Sequence, residues 1–363
     1  MKFKVNLIRA ILASTLTVAC AAATSASQST QLEEVLVTAQ KRTQNLQDVG
    51  ISVTALSGRQ MRDLGLTETR NLNQQVPSLM ITDLASVPTI SVVTIRGVNQ
   101  NDFADHNEAP VAVYRDGVYT SFIGAVGGQM YDLERVEVLR GPQGTLFGRN
   151  ATGGLIHLIS NRPHEDFEAY TDITVAEYDQ LKFEGAVNGA LSDNLYGRVS
   201  VMTNEHDGWM ENRVGDDANS ADSVNVRGQL LFKPTDTTEL LFRASYGEDD
   251  DVNSAGYHIE SSVFDDVAGE TRLARSQEEY EAFCESVFGI PATPGQSTCF
   301  GHIEDGDRTK GSFNGPHFFE REMNSLGLTA TVEFESFTLT SITDYSDLEK
   351  DYEEDSDSEL AYH

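Results

Sequence analysis

Residues 133–163, LERVEVLRGPQGTLFGRNATGGLIHLISNRP, are glycine-dense, apolar and basic at once inside a strongly acidic chain. Residues 136–139 read as a short apolar strand stopped by Gly141-Pro142, and residues 155–159 as a second, stopped by Asn161-Arg162-Pro163. Between them Gly141, Gly144, Gly148, Gly153 and Gly154 leave the backbone free to take positive φ and to approach neighbouring chain closely.

Upstream of this stretch, from Gln31 to about Arg162, short apolar runs alternate with helical patches. The runs are residues 35–37, 51–55, 90–95 and 111–113. Residues 57–64 predict a helix with Ser57 as N-cap and Gly65 at its end. Residues 68–75 predict a second, which stops before Val76-Pro77 because the residue before proline is pushed out of the helical region. The whole has the size of one mixed α+β core.

Beyond Pro163 the pattern changes to strict alternation. Ala169, Thr171, Ile173 and Val175 oppose Glu168, Tyr170, Asp172 and Thr174, and Leu181, Phe183, Gly185, Val187 and Leu191 oppose Lys182, Glu184, Asn188 and Ala190. The pattern recurs over residues 195–203, 224–232, 240–246, 326–334 and 337–345, giving about seven strands long enough to cross a bilayer when tilted. Their apolar face suits lipid, while Lys182, Arg198, Arg227 and Arg243 are expected to face a wet lumen. Connections at residues 192–194, 234–237 and 335–336 are tight, whereas those at 206–222 and 248–318 are long and polar. Such alternation is the habit of outer-membrane barrels, with a soluble β-sandwich as the alternative.

The first residues support export: Lys2, Lys4 and Arg9 precede an uncharged apolar run over residues 10–23 and small residues to Ala26, a signal-peptide pattern too short for a membrane helix. Its removal takes three of the 26 basic residues and none of the 57 acidic ones, so a nucleic-acid partner is not implied. Cys284 and Cys299 then remain in one loop, and the oxidising compartment favours a disulfide between them. No phosphate-binding lysine loop, GxSxG or HExxH occurs, and His106 with Glu108 lacks the further ligands of a metal site, so the reading is neither enzyme nor metalloprotein.

The opening stretch resembles the plug-domain signature of the TonB-dependent receptors, in which an arginine-glycine-proline turn precedes an apolar-glycine run and a Gly-Gly strand. The resemblance implies an α+β plug domain followed by the N-terminal strands of an antiparallel transmembrane β-barrel in the outer membrane of a Gram-negative bacterium. It divides the chain into a signal peptide (1–26), a TonB-box segment (27–40), a plug domain (41–163) and the first part of a barrel (164–363). Plugged barrels of this family need about 22 strands, so the chain is expected to be the N-terminal part of a longer receptor.

Glu33-Glu34-Val35-Leu36-Val37-Thr38-Ala39 resembles the TonB box, which pairs by strand addition with the energy-transducing inner-membrane protein TonB. Glu34, Val35, Leu36, Val37, Thr38 and Ala39 are the candidate TonB contacts. The resemblance gives Arg96 and Arg140, each at the end of a strand and followed by glycine, the task of holding the plug against carboxylates of the barrel wall. It presents the loop of residues 99–107 to the solute, with Asn101, Asp102, Phe103 and His106 as candidate contacts. The implied function is active import of a scarce solute, most commonly a ferric siderophore, with no cofactor; the alternative is a secreted soluble β-rich binding or adhesion protein.

Overall fold

The computed structural model describes residues 36–42, 44–84, 87–100, 108–121, 130–213, 215–252, 262–265, 269–289, 307, 309–311 and 318–353. The first strands are β1 (Leu36–Val37) and β2 (Gln44–Asn45), which pair antiparallel. A five-stranded mixed sheet follows, in the order β3 (Ser52–Ser57), β8 (Leu133–Arg140), β9 (Gly154–Ser160), β6 (Val111–Arg115) and β7 (Val118–Tyr119). A separate hairpin joins β4 (Leu79–Leu84) to β5 (Val87–Ile95).

One face of the five-stranded sheet carries the core. Val113, Val136, Val138, Ile156 and Leu158 pack with Met61, Leu66, Leu72, Val76, Leu79, Ile81, Val93 and Ile95. The helix Gly58–Asp63 starts at Ser57, whose hydroxyl caps the Gln60 N–H while the Gln60 side chain returns to the Ser57 N–H. Its entry demands glycine, because a Cβ on Gly58 would stand 2.1 Å from the Leu133 carbonyl oxygen. The second predicted helix is a tighter 3₁₀ turn over Thr69–Gln74, held by the Asn71 side chain, which accepts from the Thr67 and Glu68 N–H groups. Within the opening stretch, Gly154 has φ +146° and an added Cβ would lie 2.3 Å from the Leu139 carbonyl oxygen. That glycine lets β9 lie against β8.

The alternating region forms one antiparallel sheet of seven strands. In order they are β10 (Glu168–Val175), β11 (Leu181–Ser192), β12 (Leu195–His206), β14 (Ala221–Thr235), β15 (Thr238–Val252), β19 (Phe318–Glu333) and β20 (Thr338–Glu353). Two-stranded pieces lie in the long connections: β13 (Glu211–Asn212) pairs with β18 (Lys310–Gly311), and β16 (Ser262–Asp265) with β17 (Glu270–Leu273). A helix, Gln277–Phe288, stands in the same connection between β15 and β19.

Register sorts the side chains by face as the alternation requires. Val187 opposes Val199, Val199 opposes Gly228, Leu230 opposes Phe242 and Phe242 opposes Leu328. Val187, Val199, Leu230, Phe242, Leu326 and Tyr345 are exposed. The opposite face is polar and turned toward the domain of the five-stranded sheet, with Asn188 opposing Arg198 and Arg198 opposing Gln229. An apolar outer face of this breadth suits hydrocarbon rather than water.

Candidate functional site

The seam between the domain of the five-stranded sheet, expected to be the plug, and the seven-stranded wall is built around Asp132, one residue before β8. Its carboxylate is fully buried, and its backbone takes a positive φ of 47°, a conformation held by its surroundings. Arg198 of β12 grips it with two donors, Nε to Oδ2 at 2.9 Å and Nη2 to Oδ1 at 2.5 Å. Arg227 of β14 donates to the main-chain oxygens of Tyr131 (3.2 Å) and Asp132 (3.0 Å) and lies over the Tyr131 ring at 4.6 Å. Asn161 donates to Oδ1 at 2.8 Å, and the Asp132 N–H finds Glu184 of β11 at 2.9 Å. Burial alone would push this carboxyl up, but the Arg198 bonds, Arg227 and Asn161 outweigh it and hold it below the usual carboxylate range.

This seam corrects one expectation. Arg198 and Arg227, read as lining a wet lumen, are buried, with the plug carboxylate and main-chain oxygens as their partners. Lys182 is buried as well. Alternation identified the inward face, but a period of two says nothing of what occupies the space it faces.

A second cluster lies on the sheet face opposite the core. Tyr119, Tyr114, His157, Glu137 and Ala55 form one row across β7, β6, β9, β8 and β3. Glu137 is fully buried, and the segment after β1 supplies its partners: the Thr38 N–H donates at 2.7 Å and the Thr38 hydroxyl at 3.2 Å. Arg135 completes the group, donating to Glu137 at 2.8 Å and to the Thr38 hydroxyl oxygen at 3.3 Å. Val37 and Ala39 are buried, and the Lys41 ammonium stands 4.4 Å from the Phe147 ring centre and 5.5 Å from that of Tyr114.

His157 Nε2 accepts the Gly117 N–H at 3.0 Å, which places the proton on Nδ1. Burial pushes this imidazole from its ordinary 6.5 to about 4. As pH falls the unfolded chain therefore takes up the proton first. Stability is complete above about pH 6.5, drains between 6.5 and 4, and the full loss is about 3 kcal/mol. Urea midpoints at pH 7.5, 5.5 and 4 test this: the His157→Gln variant should lose that part of the slope, and identical slopes would refute it.

The sequence-derived site residues fall in several places. Val37, Thr38 and Ala39 enter the cluster just described and Leu36 is exposed on β1, whereas Glu34 and Val35 lie outside the described residues, as do Asn101, Asp102, Phe103 and His106. Arg140 donates to the Pro77 carbonyl oxygen at 3.3 Å within the plug, and Arg96 is exposed with φ +52°. Cys284 is buried and disulfide-bonded on the helix Gln277–Phe288, and Cys299 lies outside the described residues. Asp132, Glu137 and His157 are the functional residues that sequence reasoning passed over. Glu137 and His157 sit at ordinary polar positions of short strands and Asp132 in the bend just before β8, and only contacts across the fold reveal them.

A family model, the TonB-dependent receptor plug domain, matches residues 45–155. Residues 45–155 thus match the plug domain of the TonB-dependent receptors, and the seven-stranded sheet that follows is similar in fold to the strands of such receptors. Among curated proteins, the pesticin receptor of Yersinia pestis is 31% identical over 227 residues, which is 60% of this chain and 33% of that protein. The ferripyoverdine receptor of Pseudomonas aeruginosa is 26% identical over 227 residues, 62% of this chain and 26% of that protein. Among solved structures, the ferric yersiniabactin uptake receptor FyuA from Yersinia pestis superposes with a TM-score of 0.64 at 22% identity, covering 83% of this chain and 41% of that one. This last likeness is one of fold. The chain spans about a third of the length of the curated relatives it matches.

Proposed function

We propose that this chain gates active import of a ferric siderophore across the outer membrane, energised through TonB as its inner-membrane partner. The observation that carries the reading is a plug domain docked on a membrane-type strand wall through buried ion pairs, with a box-like strand directly before it. In this reading residues 1–26 are the signal peptide, 27–40 the coupling segment, 41–163 the plug and 164–363 barrel wall embedded in outer-membrane lipid. The solute is bound, held and released unchanged, so the free energy comes from the inner-membrane proton gradient through TonB, and the chain needs neither nucleotide nor cofactor. Arg96 and Arg140 act as further plug contacts to wall carboxylates, and Asn101, Asp102, Phe103 and His106 as solute contacts.

The siderophore assignment draws on the likeness to the ferripyoverdine receptor and to the ferric yersiniabactin uptake receptor FyuA. A vitamin B12 transporter of Vibrio vulnificus also matches, at 23% identity. Fluorescence titration of the detergent-purified receptor with ferric siderophores and with cobalamin separates the two. Saturable quenching by a ferric siderophore at submicromolar concentration is the expected result, and saturation by cobalamin alone would overturn the assignment.

The outer connection between β15 and β19 carries a further expectation: Cys284 pairs with Cys299. In the loop-entropy account, closing a loop of about 15 residues is worth about 3 kcal/mol. Thiol labelling of the denatured, unreduced protein should find neither cysteine reactive, and two labelled sites would refute the pairing.

A further inference from the structure

Arginines from both sides of the seam line a cavity of about 130 Å³, between the Asp116-Gly117 turn of the five-stranded sheet and wall strands β14, β15, β19 and β20. Arg115 ends β6, Arg227 stands on β14, Arg243 on β15 and Arg321 on β19. Like charges gathered out of water repel one another unless anions answer them, so the carboxylates in reach decide what this cavity can hold. Arg321 is answered by Asp249, Nε to Oδ2 at 2.8 Å. Arg227 comes no nearer than 3.6 Å to Asp132, a carboxylate that Arg198 already grips, and its Nε is buried without an acceptor among the described residues. Arg243 donates to a neutral group, the Thr329 hydroxyl at 3.1 Å. Arg115 has neither a hydrogen-bond nor an ion-pair partner among the described residues.

The carboxylates that share the cavity are engaged elsewhere. Asp116 accepts from the Ser160 N–H at 2.8 Å and from the Ser160 hydroxyl at 2.9 Å. Asp344 accepts the Ser346 hydroxyl at 2.5 Å; it and Arg243 flank Gly327 but form no ion pair among the described residues. Asp347 pairs with Asn324 and so falls on the outer face. Burial alone would push the Asp116 carboxyl up, but the guanidiniums of Arg243 and Arg227 and the Ser160 bonds outweigh it and hold it below the usual carboxylate range. Burial first, and then the like charge of Arg227, holds Arg115 below the ordinary guanidinium value.

The wall supplies room and further donors. Ser245 opposes Ser325 and Ser325 opposes Ser346, a row of hydroxyls across three strands, with the first two oxygens 2.7 Å apart. Gly247 and Gly327 lie on the same face, each two residues from a serine of that row. At about 30 Å³ for each water, the space equals about four waters, which suits one carboxylate or phosphate group and excludes a large ring system.

We propose that this cavity is a binding site for one compact oxyanion, the carboxylate or phosphate group of a small molecule, held by Arg115 from the plug side and Arg243 from the wall. Arg227 and the serine row complete its surroundings. A planar guanidinium presents two parallel donors that match either oxyanion. The site stands on these contacts and does not depend on which solute the receptor imports.

Equilibrium dialysis of the detergent-purified receptor against radioactive inorganic phosphate, at fixed ionic strength, tests the site. Binding should be saturable, and acetate should compete with it. Arg115→Gln and Arg243→Gln should each weaken binding about tenfold to a hundredfold, the loss of one charge-assisted pair. Arg115→Lys keeps the charge without the two-donor fork and should fall between. Near-UV circular dichroism identifies a variant that has unfolded; if Arg243→Gln is one, Arg115→Gln and Arg115→Lys decide. Selenate soaked into crystals and located at the selenium edge should lie within hydrogen-bond reach of both guanidiniums. A carboxylate-bearing ferric siderophore separates the two sources of the anion: displacement of phosphate assigns the site to the solute's own oxyanion, and undiminished phosphate binding assigns it to a free anion. Absence of saturable binding, unchanged affinity in the folded variants, or selenate found only elsewhere overturns the site.

Discussion

Asp132→Ala should detach the plug from the strand wall, at a cost of about 3 to 5 kcal/mol. The magnitude follows from the asymmetry of buried ion pairs: removing one partner leaves the other desolvated and uncompensated. Here the orphan would be Arg198, whose side chain is 2% exposed and whose Nε and Nη2 both point at the missing carboxylate. Glu168 of β10 is the one other carboxylate bonded to Arg198 among the described residues, through Nη1 at 3.2 Å, and it is half exposed. Asp132→Asn keeps the shape and an acceptor but not the charge, and should cost less. Arg198→Ala should resemble Asp132→Ala, and the double variant should cost much less than the sum of the two. Limited proteolysis of receptor in detergent reads this directly: plug fragments should appear from Asp132→Ala under conditions in which unaltered receptor is intact. Equal resistance of the two would mean that the seam is held elsewhere.

Deleting residues 34–39 should leave solute binding intact and abolish energised uptake, reducing it a hundredfold or more, to about the background of cells without the receptor. Most of the described plug core does not involve this segment: Met61, Leu72, Ile95, Val136 and Ile156 pack without it. The deletion does strip Glu137 of its Thr38 bonds, so some loss of stability accompanies it. Binding by fluorescence and uptake by filtration separate the effects. Uptake that survives in the deletion would remove energy coupling through this segment.

The seven wall strands were legible because membrane strands repeat every two residues and their turns carry Asp, Asn, Pro and Ser. The Ser57 helix was legible through its cap and Gly65. The stretch at 69–74 shares the polar, leucine-centred pattern of a helix, and the tighter turn follows from Asn71 taking two N–H groups that an α-helix leaves to solvent. The seam was not legible. Asp132 meets Arg198 and Arg227 from 66 and 95 residues away, and nothing local distinguishes it from the exposed Glu134 two positions on. Glu137 likewise occupies the polar slot of Val136-Glu137-Val138, where alternation predicts a solvated face. The face is instead closed by a segment almost a hundred residues earlier in the chain.

The most direct measurement of the central claim is uptake of a radioactive ferric siderophore by cells carrying this receptor, in paired strains with and without TonB. The account predicts that both strains bind the siderophore at the surface and that only the strain with TonB accumulates iron inside, with accumulation ended by collapse of the proton gradient. Equal accumulation in the two strains, or accumulation that survives loss of the gradient, would contradict it.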